Sequence, residues 1–136
     1  MNRNELLVKL ASCSLESKQL YASSCLRRYC EIKDISHPAV TELLDHLDSI
    51  LASQNLSVWD ARGALLGLNG RGDPIPESLK SALSEEGLNE FAVLVDSVVE
   101  VGIIDLYGAS TDLPLKFLDK TMQILEQNKI HLPSIA

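Results

Sequence analysis

The sequence has 136 residues, a length that suits one domain with a single hydrophobic core. Hydrophobic residues make up 46% of the chain and charged residues 23%, a balance that excludes an intrinsically disordered protein. The formal net charge is −7, and no apolar run approaches the roughly 18 residues that a membrane-spanning helix needs.

The acidic residues are concentrated in the middle of the chain. Residues 36–112 contain thirteen Asp and Glu against three Arg and Lys, whereas residues 1–35 and 113–136 each carry a small positive excess. A surface of one sign repels nucleic acid and anionic membranes, and it attracts a basic partner over about a Debye length. The charge pattern therefore predicts a basic protein partner, and no nucleic acid or membrane.

Helical periodicity begins at the N-terminus. The opening residues 1–10 include leucines spaced for an amphipathic helix and lack the apolar stretch of a signal peptide, so we expect a cytoplasmic protein. Ser12 and Ser14 are possible caps for a second helix that runs to about Asp34. The pattern leaves open whether these two helices are separate or continuous.

Two further helices are indicated in the acidic segment. Pro38 fits the first position of a helix, and residues 55–57 end it. Ser57 and Asp60 then have the spacing of a capping box for a fourth helix, which is predicted to stop at residues 69–70. The only tryptophan, Trp59, lies in this fourth helix and is interpreted as a core residue.

Residues 69–76 form the clearest loop, and a short helix is predicted from Pro76 to Gly87. Residues 88–107 are apolar on almost every side, which indicates a helix buried at the centre of the fold and ended by Gly108. The alternative is a strand at residues 98–104, where β-branched residues dominate.

A last helix is capped by Thr111 or Asp112 and has Pro114 near its start. The predicted fold class is all-α, a single-domain bundle of six or seven helices spanning residues 1–136, with its apolar central helix near residues 88–107.

No motif in the chain identifies a catalytic or cofactor site. The histidines have no partner in ligand geometry, the cysteines form no CxxC pair, and the glycines at 67–72 lack the lysine of a phosphate loop. We therefore expect a non-enzymatic protein without cofactor or metal, whose cysteines are reduced. These histidines and cysteines are His37, His46, His131, Cys13, Cys25 and Cys30.

Gly63 and Gly67 lie four residues apart in the predicted fourth helix. Their lack of side chains is interpreted as allowing another helix to approach closely. Asp96 and Glu100, also four residues apart, lie on the apolar central helix. Their role is either structural or the binding of a divalent metal ion, and the sequence leaves both alternatives open.

The central segments HPAVTELLDHLDSIL and LKSALSEEGLNEFAVLVDSVVEVGIIDLYG, with the size and helical layout of the chain, resemble bacterial immunity proteins, especially those that protect against contact-dependent inhibition toxins. The resemblance is one of overall character, and it assigns no residue a role. It implies a cytoplasmic inhibitor of one toxin, often a nuclease, bound over or near the toxin's active site.

Two acidic clusters are predicted to form the partner-binding surface because helical geometry turns them to water. They are Glu42, Asp45 and Asp48 on the third helix, and Glu85, Glu86 and Glu90 around Gly87. The alternatives are a helical adaptor or regulatory subunit with an apolar groove along Gly63 and Gly67, and, with less support, a metal-dependent hydrolase that uses Asp96 and Glu100.

Overall fold

The structure is a computed structural model, and it describes residues 1–135. Within that range the chain forms seven α-helices, one 3-10 turn and no strand, so the predicted all-α bundle is confirmed and the strand at 98–104 is wrong. The helices are α1 (Arg3–Ala11), α2 (Leu15–Lys33), α3 (Pro38–Asp48), α4 (Leu56–Ala64), α5 (Glu77–Lys80), α6 (Glu85–Ile103) and α7 (Leu113–Gln127), with the 3-10 turn (Ser49–Ala52) after α3.

The first two helices are separate. Ser14 is the N-cap of α2, and its side-chain oxygen accepts a hydrogen bond from the Ser17 backbone N–H. This bond satisfies one of the backbone donors that a helix start leaves unpaired. At the other end, Asp34 adopts the left-handed conformation, with φ 56°, and ends α2 where the sequence predicts.

Helix α4 begins and ends earlier than predicted. Asn55, not Ser57, is its N-cap, because the Asn55 Oδ1 atom accepts from the backbone N–H groups of Ser57 and Val58. The helix ends at Ala64 instead of reaching residues 69–70. Gly67 therefore lies outside it, and the predicted pairing of Gly63 with Gly67 on one helix face is wrong.

The predicted helix from Pro76 to Gly87 is two elements. Helix α5 is a single turn, and α6 starts afresh at Ser84, whose side-chain oxygen accepts from the Gly87 N–H at 3.0 Å. Gly87 therefore lies in the first turn of α6 and does not end a helix. A serine oxygen that accepts from the backbone N–H three residues later is an ordinary N-cap. This hydrogen bond starts α6 at a place where Gly87 alone predicts the end of a helix.

Helix α6 is the centre of the fold, as predicted, and packs against both α2 and α7, which also contact each other. Its apolar side chains are buried on most of its circumference, including Phe91, Leu94, Val98 and Val101. The helix ends at Ile103, five residues before Gly108, because the following residues form turns. There the Asp105 carboxylate accepts from the Thr111 N–H and hydroxyl, which holds the chain out of the helical path.

Candidate functional site

The predicted acidic cluster on α3 is divided by the structure. Glu42 and Asp45 are exposed, but Asp48 is half-buried and forms an ion pair with Arg27 of α2, with Nη2 and Oδ2 2.7 Å apart. Successive steps of three residues rotate around a helix by about 60°, so the third acid of the series turns back toward the bundle. The expectation that all three face water is wrong for Asp48.

The second predicted cluster divides in the same way. Glu85 and Glu86 are exposed in the first turn of α6, where the positive end of the helix dipole favours carboxylates. Glu90 is half-buried, and it accepts hydrogen bonds from the Tyr29 hydroxyl at 2.7 Å and the Asn128 side-chain amide at 2.9 Å. These bonds join α6 to α2 and α7, so Glu90 is engaged inside the fold and does not face water as predicted.

The two carboxylates of unassigned role on α6 sit in different surroundings. Asp96 is exposed and Glu100 is half-buried, and burial raises the pKa of both. The positive charge of Arg71 acts on Glu100 in the opposite direction and lowers its pKa. Within residues 1–135 no group of three or more His, Cys, Asp or Glu side chains is placed to hold a metal ion.

A polar cluster that the sequence did not reveal ties α4 to the rest of the molecule. Arg71 and Asp60 form an ion pair of 2.7 Å, with side chains only 21% and 16% exposed, and Arg71 also donates to the Asp60 backbone oxygen at 3.0 Å. The Tyr107 hydroxyl donates to the second Asp60 oxygen at 2.8 Å. The available signal was Arg71 itself, one of only three bases in the acidic segment.

A surface pocket of about 380 Å³ lies between the end of α3 and α4. In its wall the His46 ring stacks on Trp59 with centroids 4.8 Å apart, and the Trp59 indole N–H donates to the His46 backbone oxygen at 2.9 Å. Trp59 is 4% exposed, so its interpretation as a core residue is confirmed. The pocket opens beside Arg62 and the polar residues 53–55.

Gly63 allows the close approach that the sequence suggested. A methyl group at this position would lie 2.6 Å from His46 Nε2 and 2.8 Å from the Arg71 guanidinium. The face of α4 that holds Gly63 is therefore covered, and it offers no groove for an adaptor's partner. Exposed apolar side chains do occur elsewhere on this element, since Val58 of α4 is 45% exposed and Leu65, its C-cap residue, is 86% exposed.

A second, smaller pocket of about 150 Å³ separates the loop after α4 from α6. We call it the acidic pocket, because carboxylates from both sides line it: Asp73 from the loop and Asp96 from the helix. Apolar walls are supplied by Leu68, Ile75 and Val95. This combination of apolar walls and carboxylates was not predicted, since residues more than twenty positions apart form it.

The three cysteines are free. Cys25 and Cys30 are buried, and burial raises the pKa of each thiol to about 12, so both remain protonated and weakly nucleophilic at neutral pH. Among the helices of the described chain, none has the combined length and apolar character to cross a membrane.

Neither the known protein families, nor curated proteins, nor solved structures include a match to this chain.

Proposed function

We propose that this chain is a non-catalytic binding protein that acts as a cytoplasmic immunity protein, neutralising a basic toxin of the nuclease class by binding over or near its active site. The observation that carries the proposal is an excess of carboxylates without basic partners. Of the thirteen acids in residues 36–112, ion pairs within residues 1–135 engage four: Asp48, Asp60, Glu77 and Asp112.

Six of the nine remaining acids are exposed, and they give the molecule a negative field that points outward: Glu42, Asp45, Asp73, Glu85, Glu86 and Asp96. A nuclease holds polyphosphate in a positively charged cleft, so a protein presenting carboxylates is complementary to that cleft. Long-range attraction also raises the rate of encounter, which favours capture of a toxin before it acts. The exposed pairs Glu42 with Asp45 and Glu85 with Glu86 are the acids that we assign to this contact.

The direct experiment is co-expression with the product of the adjacent upstream gene. If that product arrests growth when expressed alone, we expect this chain to restore growth and to co-purify with it. A neighbouring gene whose product is harmless, or a toxic product that this chain neither binds nor neutralises, would contradict the proposal.

The contribution of the acidic field is measured on the purified complex. Reversing two charges in Glu42→Lys/Asp45→Lys should slow association and flatten its dependence on salt, because steering by exposed charges acts on the on-rate. A matched control reverses two exposed acids outside the acidic segment, Glu5→Lys/Glu31→Lys, with the same change in net charge. Equal effects of the two double variants would show that net charge alone, and not the α3 surface, guides the encounter.

A second candidate is a helical adaptor, and the exposed face of α4 favours it. Val58 of α4 and Leu65, the C-cap residue of that helix, are large apolar side chains that face water. A partner that covers them would bury apolar surface. Apolar contacts are not screened by salt. Binding that persists at high salt and is abolished by Leu65→Asp would support the adaptor, whereas binding that weakens steeply with salt supports the immunity protein.

A further inference from the structure

The pocket between the end of α3 and α4 is large enough for a small ligand, and its walls are accessible. Its volume of about 380 Å³ falls within the roughly 300–1,000 Å³ that is typical of small-molecule sites. Six of the residues that line it are exposed, so they remain available to a ligand: Ser49, Ala52, Gln54, Asn55, Val58 and Arg62.

The pocket runs as a groove along one face of α4. Asn55, Val58 and Arg62 stand at positions i, i+3 and i+7, which share one side of a helix. Asn55 and Arg62 are two turns apart, which is about 10 Å along the helix axis. Val58, 45% exposed, lies between them. A ligand in this groove therefore meets a cation at one end, an amide at the other and apolar surface in the middle.

The cation of the groove is unpaired. Among Asp, Glu, Lys and Arg side chains only Arg62 lines the pocket, and it forms no ion pair with residues 1–135. The acids between positions 46 and 62 are Asp48 and Asp60, and each is neutralised by another arginine at 2.7 Å, Arg27 and Arg71 respectively. Arg62 is therefore left free to attract an anion.

The opposite end of the groove offers unused hydrogen-bond donors. Asn55 Oδ1 accepts from the Ser57 N–H, the Ser57 hydroxyl and the Val58 N–H, and these bonds fix the orientation of the amide. The Asn55 Nδ2 group and the Gln54 amide have no acceptor within residues 1–135. The Ser53 hydroxyl donates to the Asn55 backbone oxygen at 3.1 Å, which ties the wall of the groove to the start of α4.

We propose that this groove binds a small organic oxyanion, with its anionic group on the Arg62 guanidinium, its apolar body against Val58 and an uncharged acceptor oxygen on the Asn55 amide. A guanidinium presents paired N–H donors that match a carboxylate or a phosphate monoester. The inference is independent of the toxin contact, which the proposed function assigns to exposed acids outside this groove.

The His46 ring reports on the charge at this site. It stacks on Trp59 in the wall of the pocket, with ring centroids 4.8 Å apart. Burial lowers the pKa of His46 most, Arg71 and Arg62 lower it further, and Asp60 acts in the opposite direction. An anion bound at Arg62 offsets the charge of that arginine, so binding should raise the pKa of His46.

The test follows the chain by NMR while N-acetyl-leucine or butyl phosphate is added, since each probe joins an oxyanion to an aliphatic body. We expect saturable shifts at the Trp59 indole N–H and at the Val58 and Arg62 amides with at least one probe. The probe that saturates at the lower concentration identifies the anionic group. N-acetyl-leucinamide, which has the same body without the charge, should give no such shifts.

Arg62→Gln should weaken binding of the better probe roughly threefold, as for an exposed ion pair. Lys9→Gln is the matched control, because it makes the same change in net charge at an exposed position of α1 and should leave binding unchanged. In the parent chain the pKa of His46, measured from its ring protons, should rise when the probe saturates the site.

Three results would overturn the inference: no saturable shift with either probe, an equal response to N-acetyl-leucinamide, or equal weakening in Arg62→Gln and Lys9→Gln. Sodium sulfate that reproduces the shifts at the same concentrations would also contradict it, since the aliphatic body would then play no part. An unchanged pKa of His46 at saturation would place the anion away from Arg62.

Discussion

Among single residues, His46 is one whose ionisation the fold opposes. Burial lowers its pKa from the usual value of about 6.5, and Arg71 and Arg62 lower it further. The unfolded chain takes up a proton near pH 6.5 where the folded chain does not, so folded stability is complete above about pH 7 and falls as the pH drops toward the lowered folded pKa. We expect urea unfolding to show this loss between about pH 7.5 and 5.5.

The same residue supplies the control for that prediction. His46→Phe keeps a ring stacked on Trp59 and cannot take up a proton, so its unfolding free energy should lose this part of the pH dependence. His131 is exposed, and His131→Gln should retain the parental dependence. A His46→Phe variant that keeps the loss of stability toward low pH would show that His46 is not its source. Asp96 and Glu100 cannot supply that loss, because their pKa values are raised in the folded chain and their contribution to stability grows as the pH falls.

Gly102 is a second residue whose role can be measured, because the Gln19 side chain of α2 approaches α6 closely at this position. A methyl group at this position would clash with the Gln19 side-chain oxygen and lie 3.3 Å from the Trp59 ring. Gln19 is fully buried and donates to the Val98 backbone oxygen at 3.1 Å, so it has little freedom to move. Gly102→Ala should therefore lower the unfolding free energy by about 1–3 kcal/mol in urea titrations.

Gly108→Ala is the matched control for this clash. A methyl group at Gly108 meets nothing within 4 Å, so the same substitution there should change the unfolding free energy by less than about 1 kcal/mol. If Gly102→Ala were equally harmless, Gln19 would have to repack at little cost, contrary to its burial and hydrogen bond.

Residue roles could be predicted from the sequence only where one helix decides them. Trp59 in the core and exposed Glu42 and Asp45 follow from helical spacing alone. Asp48 and Glu90 could not be assigned this way, because their partners Arg27 and Tyr29 lie 21 and 61 positions away. Periodicity predicts which face of its own helix a residue occupies. It carries no information about which residue of another helix lies opposite that face.

Among the elements, α4 depends on a polar tether at its side. Arg71 joins it through the 2.7 Å ion pair with Asp60. Arg71→Met would leave the Asp60 carboxylate, which is mostly buried, with only the Tyr107 hydroxyl as a partner. We expect a loss of roughly 1–3 kcal/mol in unfolding free energy, with faster hydrogen exchange at the amides of α4.

Arg62→Met is the matched control, since it removes the same charge from α4 itself. Arg62 is exposed and forms no ion pair in the described part of the chain. Its substitution should leave exchange in α4 close to the parental rates. Equal protection of α4 in both variants would contradict the tether and would assign the stability of α4 to Trp59.

The elements themselves were predictable to different degrees. The long helices α2, α3, α6 and α7 follow from strong apolar periodicity, because many residues contribute to the signal. The predicted boundaries of the short helices α4 and α5 are wrong, because a few local hydrogen bonds determine where a short helix begins and ends. Asn55 caps α4, although the sequence predicts Ser57 as the cap. Ser84 caps α6 at a position that the sequence predicts to lie inside a helix.

At the scale of the whole molecule, the sequence predicts how many acidic residues each segment contains, and it does not predict where their side chains lie in the fold. The excess of acids in residues 36–112 is a matter of composition. The acidic pocket depends on how the loop after α4 folds back onto α6, which places Asp73 and Asp96 in the lining of one pocket. Only the tertiary structure separates carboxylates that serve internal contacts from those that project a field.

That field has a consequence for stability that can be measured without any partner. The unpaired carboxylates repel one another, and this repulsion destabilises the compact state when salt is low. Glu42→Lys/Asp45→Lys moves the net charge toward zero at two exposed positions, so it should raise the melting temperature in about 10 mM NaCl. Near 0.5 M NaCl, where screening acts within a few ångström, the two chains should melt together.

A lower melting temperature for this double variant at both salt concentrations would contradict the prediction. It would mean that Glu42 and Asp45 make stabilising contacts within the bundle, and their assignment to a partner surface would fail. If the variant is instead as stable as the parent or more so, slower association with the toxin cannot be attributed to unfolding. Because the carboxylates cost the free protein stability at low salt, binding a basic partner relieves the same repulsion that the substitution removes.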